Sequence, residues 1–352
     1  MEFLTEYGLF FAKAITTVVA ILFTMAGIVA LSSKNKLGPE KGQIEIKKIN
    51  ERFDEYQEIL EEKILDEQAL KEKRRADKKA EKAEKKANKK QAENSESKKR
   101  IFVIRFEGDV QASAVESLRE EVNAILTVAK TSDEIVIDLE SPGGMVHTYG
   151  LAASQLSRLR TANLQLTICV DKVAASGGYL MACVGHKILA APFAIIGSIG
   201  VLAQIPNFNR ALKKLDVDYE VMTAGEHKAP VTMFGEISDK GKQKLQSELE
   251  ETHQLFKGFI EQNRAQVDLA KVATGEVWYG QQAIDQQLID QVITFDDYLL
   301  QQRGSSDIYS VTYVAKKSLQ EKLGLMTGQA VSNVLKHILS EDRQKSIGQQ
   351  IS

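Results

Sequence analysis

Cysteine is nearly absent: Cys169 and Cys183 are the two in 352 residues, and both lie in apolar runs, where a small buried hydrophobe is the expected role rather than half of a disulfide. Histidine is scarce and scattered, at His147, His186, His227, His253 and His337, with no His-Cys spacing of a metal site. No metal and no cofactor is expected. Charge of one sign is also lacking, because the net value is −2, but this hides an asymmetry. Residues 71–100 hold 14 basic and 6 acidic residues, a local excess of +8, which leaves the rest of the chain at about −10. That tract has no interleaved aromatics and the remainder is acidic, so nucleic acid is not an expected partner.

A long hydrophobic run is present once. Residues 14–31 (AITTVVAILFTMAGIVAL) carry no charge and, extended by residues 9–12, approach the roughly twenty residues that span a bilayer. The run starts acidic, with Glu2 and Glu6, and Leu31-Ser32-Ser33-Lys34 offers no small-x-small cleavage site. Residues 1–33 are therefore read as an uncleaved membrane anchor. Residues 34–100 follow as a charged helical arm. From Glu40 to Arg100 more than half of the residues are charged, too many to bury a core. Within the arm Ile46, Ile49, Phe53, Tyr56 and Leu60 form a narrow stripe that suits a short coiled coil, a docking face or a solvated amphipathic helix. The lysine-rich tract beyond it reads as a solvated spacer or a contact for anionic lipid.

At Ile101 the composition changes to alternating elements. Strands are expected over residues 101–108, 134–140, 164–170, 186–192 and 219–225, and helices over 112–128, 148–159, 176–183, 207–215 and 238–263. A strand-turn-helix unit at 276–293 closes this domain near Gln302, and the tail from Gly304 reads as weakly structured. Such alternation implies an α/β domain over residues 101–302, with a mainly parallel sheet covered by helices.

Two glycine-rich junctions stand out. Ser141-Pro142-Gly143-Gly144 lies where a strand meets a helix, so its backbone N–H groups can face an anionic oxygen, although a tight turn explains the tetrapeptide equally well. Ala174-Ala175-Ser176-Gly177-Gly178 repeats the arrangement. Ser176 there is either a helix N-cap or an accessible nucleophile, and the N–H after it can serve the same oxyanion as the SPGG turn. A serine nucleophile needs a base, either histidine or a lysine kept neutral by burial. His147 and His186 lack a placed acidic partner. Lys228, in TAGEHKAP near Val231, Met233 and Phe234, is the alternative, though a lone lysine is ordinarily a solvated surface residue. Ser198, between Gly197 and Gly200, can relay a hydrogen bond to it or satisfy local backbone groups.

Taken together, DLESPGGMVHTYG, VDKVAASGGYLMA, APFAIIGSIGV, TAGEHKAP and GEVWYGQQA resemble, in order, the motifs of the signal peptide peptidase A family of serine-lysine proteases. The resemblance covers roughly Ile101 to Gln302, and the anchor and arm are similar too. It implies Ser176 as nucleophile, Lys228, 52 residues later, as base, Ser198 as the serine bonded to that lysine, and Gly144 and Gly177 as oxyanion donors. His227 stands where family members often carry an aromatic residue, which alters the pocket without removing the base. The resemblance further implies a ClpP/crotonase-type fold and ring-like homo-oligomers, in some relatives with the site completed across subunits. Its substrates would be signal-peptide remnants or other hydrophobic, membrane-derived peptides.

A crotonase-like acyl-CoA enzyme is the rival that shares this fold without needing Ser176 or Lys228, and a scaffold using arm and ring is the non-enzymatic one. Lys34, Lys36, Lys41, Lys47 and Lys48 follow the apolar run against Lys13 before it, which places the folded domain in the cytoplasm. The resemblance points instead to the periplasmic side of a bacterial inner membrane, and the reading leans that way.

Overall fold

The computed structural model describes residues 42–76, 78–79, 98–225, 228 and 230–315, together with 8–11, 13, 15–17 and 20. The chain divides into two units, residues 1–43 with 315–352, and residues 44–314. In the first, the described residues between 8 and 20 are helical. The anchor expected over 1–33 otherwise lies outside the described residues, among which no helix is long and apolar enough to cross a membrane.

The second unit runs through β1 (Gln43–Lys48), α1 (Ile49–Ile64), β2 (Lys99–Glu107), α2 (Val115–Leu126), β3 (Glu134–Glu140), α3 (Val146–Thr161) and β4 (Gln165–Val170). It continues through β5 (Val173–Ala175), α4 (Gly177–Ala182), β6 (Lys187–Ala190), β7 (Ile195–Gly197), α5 (Asn209–Lys214) and α6 (Asp239–Asn263). The last elements are α7 (Leu269–Val272), β8 (Val277–Tyr279), α8 (Gly280–Ala283), β9 (Gln291–Val292), α9 (Phe295–Gln302) and β10 (Ser306–Val314). The large sheet has the order β1-β10-β2-β3-β4-β6-β9, parallel from β10 to β9. A small sheet, β5-β7-β8, pairs β5 with β7 in parallel and β7 with β8 antiparallel. The class is α/β, as the alternation implies.

The central strands are continuous apolar runs because both of their faces are covered. Phe102, Ile104 and Phe106 of β2 and Ile135, Ile137 and Leu139 of β3 enter one core with Leu118 and Val122 of α2 and Leu156 and Leu159 of α3. The alternate residues Ile101, Val103, Val136 and Cys169 enter a second core with Tyr298 and Leu299 of α9, against which Ile49 and Phe53 pack. The two-residue period of a strand splits the sequence between them.

This second core corrects the expectations for arm and tail. Two of the five stripe residues, Ile49 and Phe53, dock on the sheet, while Ile46, Tyr56 and Leu60 stay exposed. Of the tail read as weakly structured, Ser306–Val314 forms β10, which pairs with β2 from Ser306↔Lys99 to Ser310↔Val103, and residues 316–352 lie outside the described residues. Buried Asn50 fastens the two segments: its side-chain amide donates to the carbonyls of Arg303 and Ser306 at 3.2 and 3.0 Å and accepts the Ile308 N–H at 2.7 Å. The sheet thus reaches beyond 101–302 on both sides. The strand expected over residues 219–225 is absent; that stretch carries neither helix nor strand.

Candidate active site

The site forms where β3 and β5 end. Ser141, fully buried, donates its N–H to the Val173 carbonyl at 2.8 Å and accepts the Ala175 N–H at 3.0 Å, which joins the end of β3 to β5. Its Oγ accepts the Gly143 N–H at 3.1 Å and lies 2.6 Å from Tyr149 Oη, which donates to the Asp109 carbonyl at 2.8 Å. The Ser141 hydroxyl proton is therefore directed at Tyr149, and the SPGG turn is held from within. Gly143 has φ +90°, and a Cβ there would stand 2.7 Å from the Ala175 carbonyl and 2.8 Å from Gly177 N and Ser176 Cβ. A Cβ on Gly144 would stand 2.1 Å from the Val110 carbonyl. The turn can lie against Ser176 because residue 143 is glycine, and against Val110 because residue 144 is.

Ser176 has φ 52° and ψ −117°, a conformation that costs a side-chain-bearing residue on the order of 1–3 kcal/mol and persists only where surroundings impose it. Its N–H donates to the Gly197 carbonyl at 2.8 Å, and its own carbonyl accepts the Leu180 N–H at 3.0 Å. Its side chain makes no capping hydrogen bond, so the N-cap alternative is not what the geometry uses. The β5–β7 register aligns Ala175 with Gly197, which makes Ser176 and Ser198 the next residues of two paired strands. Ser198 also has φ 52°, and its N–H donates to the Glu276 carbonyl at 2.6 Å. Four of the five expected site residues, Ser176, Ser198, Gly144 and Gly177, thus come from adjoining junctions.

Ser176, Gly144 and Gly177 open on a cavity of about 360 Å³, within the range of ligand pockets. Its walls include Val146 and Tyr149 of α3, Leu180 of α4, Val201, and Leu255, Phe256 and Phe259 of α6. These wall residues escaped the sequence reading. Their signal was the helical spacing 146, 149, 153 and 252, 255, 256, 259, which reads as ordinary core packing.

Lys228 is not brought to this cavity. It is exposed, does not line the cavity, and donates its N–H to the Gly225 carbonyl at 3.2 Å. Of the histidines weighed as bases, His147 is exposed, and His186 accepts the Leu166 N–H at 3.1 Å on Nδ1. Desolvation first, and the Arg160 guanidinium second, hold the His186 imidazole below its ordinary value. With its own N–H donating to the Leu166 carbonyl at 2.8 Å, His186 ties the start of β6 to the start of β4.

The chain matches the family described as peptidase family S49 N-terminal over residues 2–156 and peptidase family S49 over residues 158–308. It is 50% identical over 339 residues to a Haemophilus influenzae protein named Probable protease SohB, covering 95% of this chain and 96% of that one. The chain belongs to peptidase family S49. A Buchnera aphidicola (Schlechtendalia chinensis) protein of the same name is 42% identical over 308 residues, 85% of this chain and 99% of its own. The assignment is thus to the SohB-like part of the signal peptide peptidase A family, and this S49 chain is a protease. A solved structure described as a membrane-bound stomatin-specific protease mutant in complex with a substrate peptide is 14% identical, with a TM-score of 0.35, over 65% of this chain and 97% of that one.

Proposed function

We propose that the chain is a membrane-anchored serine endopeptidase of ClpP/crotonase-type fold, with Ser176 as nucleophile and Lys228 as general base. The observation that carries the reading is Ser176 itself: a non-glycine residue at φ 52°, its hydroxyl free of any capping bond, at an apolar cavity between two glycine junctions. Neutral Lys228, oriented by Ser198, takes the hydroxyl proton as Ser176 Oγ bonds to a peptide carbonyl carbon. The N–H groups of Gly144 and Gly177 receive the oxyanion. Collapse breaks the C–N bond, Lys228 returns the proton to the leaving amine, and the acyl-enzyme is hydrolysed by a water that Lys228 deprotonates.

Because Lys228 is exposed, this chemistry requires Lys228, with the stretch 201–225 before it, to close on the cavity and strip water from the amine. Leu202, 75% exposed, and Met222, 89% exposed, give that segment apolar surface to bury, and a ring-like homo-oligomer would cover it. The apolar cavity walls suit signal-peptide remnants and other hydrophobic peptides, and the uncharged run 14–31 would hold the enzyme at the bacterial inner membrane, facing the periplasm.

The test is reaction of detergent-solubilised protein with a serine-directed peptidyl probe, mapped by mass spectrometry. Labelling at Ser176 that is lost in Ser176→Ala and in Lys228→Ala supports the dyad. Absence of labelling in a folded oligomer sinks it in favour of a scaffold.

A further inference from the structure

Five glycines near Ser176 are explained by close approach. A Cβ on Gly108, Gly143, Gly144, Gly177 or Gly178 would stand between 2.1 and 2.7 Å from a neighbouring atom. Gly150 differs. It lies inside α3, in ordinary helical backbone, and a Cβ there would meet nothing within 4 Å. Neither conformation nor packing calls for glycine, and glycine weakens a helix interior relative to alanine.

What distinguishes Gly150 is the space it leaves. Val146, Tyr149, Gly150, Ala153 and Ser154 lie on one face of α3, at the spacing of helix neighbours, and all line the Ser176 cavity. The cavity is also lined from α6 by the large side chains Leu255, Phe256 and Phe259. Beside Val146 and Tyr149, the α3 lining is small at Gly150, Ala153 and Ser154. A Cβ at position 150 would enter open space at a cavity that Ser176 also lines.

We propose that Gly150 sets the size of the substrate side chain that the cavity accepts, admitting large apolar residues next to the scissile bond. The inference rests on Ser176 being the nucleophile. It makes Gly150 a specificity-determining residue.

Two serine-directed peptidyl probes that differ only in carrying phenylalanine or alanine beside the reactive carbonyl test it. The readout is the labelling rate at Ser176 for the full chain in detergent. Gly150→Leu should lower the phenylalanine-to-alanine rate ratio by about tenfold or more, the scale at which pockets discriminate by a few methylenes, and Gly150→Ala by less. Gly258→Ala makes the same exchange inside α6 at a glycine that also faces open space but does not line this cavity, and should leave the ratio unchanged. An unchanged ratio in Gly150→Leu, with the alanine probe still reacting, overturns the inference. So does loss of both reactions in Gly150→Leu if Gly150→Ala reacts with the parental ratio. If neither probe labels the parent chain, the nucleophile assignment fails first and the inference falls with it.

Discussion

Ser176 and Lys228 stand in opposite physical settings. Ser176 leaves a strand whose neighbours are buried, its backbone N–H and carbonyl are both bonded, and two glycine junctions close round it. Lys228 sits in a segment whose described residues from 217 to 237 are in neither helix nor strand and include several exposed apolar side chains. The comparison teaches that the two halves of a proposed dyad need not be equally preorganised. The half proposed to aim a hydroxyl and hold an oxyanion is built into the sheet, where position is fixed by packing. The half proposed to supply a base rides on a segment whose described residues make few ladder hydrogen bonds, where local opening is cheap.

The sharpest way to break this comparison is to remove each half in turn. Ser176→Ala should abolish probe labelling outright, and Lys228→Ala should slow it by at least about a thousandfold, the scale on which loss of a catalytic base acts. If Lys228→Ala labels at the parental rate, the exposed position of Lys228 is its working one and the base lies elsewhere. Gly143→Ala attacks the rigid half alone. Its φ of +90° and the contacts of 2.7 to 2.8 Å that a Cβ would make leave nowhere to relax except by moving Ser176. A loss of stability of about 2–5 kcal/mol, strain and overpacking together, should accompany a loss of labelling, measured by urea unfolding and the same probe.

A fourth substitution separates the rigidity of the sheet from the chemistry. Asn50→Ala strips the Ile308 N–H of its acceptor and two carbonyls of their donor, far along the sheet from Ser176. A buried polar group left unpaired costs about 1–3 kcal/mol, so the melting temperature should fall while the labelling rate at Ser176, below the transition, stays parental. A parallel fall in both would mean that β10 and α1 position the site rather than only support it.

Much of the rigid half was legible in the sequence. EIVIDLE reads as a strand and is one from Glu134 to Glu140, because a run apolar on both faces has few other homes. SPGG and ASGG read as glycine junctions and are. The failures share a cause. Residues 43–64 looked too charged to have a core, yet Ile49 and Phe53 need bury only one stripe against a sheet that the arm's own composition cannot reveal. Ser306–Val314 looked like tail because its ladder partner, β2, lies about two hundred residues earlier. YEVMTAG has the alternation of a strand but pairs with no strand among the described residues, so its propensity goes unused. The cavity walls were hidden for a related reason: the helix spacing that lines a pocket also lines a core.

The smallest expected effect tests whether β10, unseen in the sequence, is integral to the rigid half. Glu121 of α2 is 4% exposed and accepts the Tyr313 N–H of β10 at 2.8 Å. Burial pushes its carboxyl above the ordinary glutamate value, more than the Tyr313 bond draws it back. An acid whose folded value is raised favours the protonated form in the fold. Its contribution is complete below the ordinary value and is lost as pH rises from there through the raised one. Glu121→Gln keeps an acceptor for Tyr313 and removes the charge. Thermal melts should give parent and variant the same stability near about pH 4 and the variant the advantage near about pH 7.5. Glu134 titrates the other way: burial pushes it up, but Lys99, Thr167 and Tyr298 outweigh burial and hold it low, and its acid loss is common to both chains and cancels. A variant that gains nothing at the higher pH would mean that the Glu121 carboxylate leaves the Tyr313 N–H for water there.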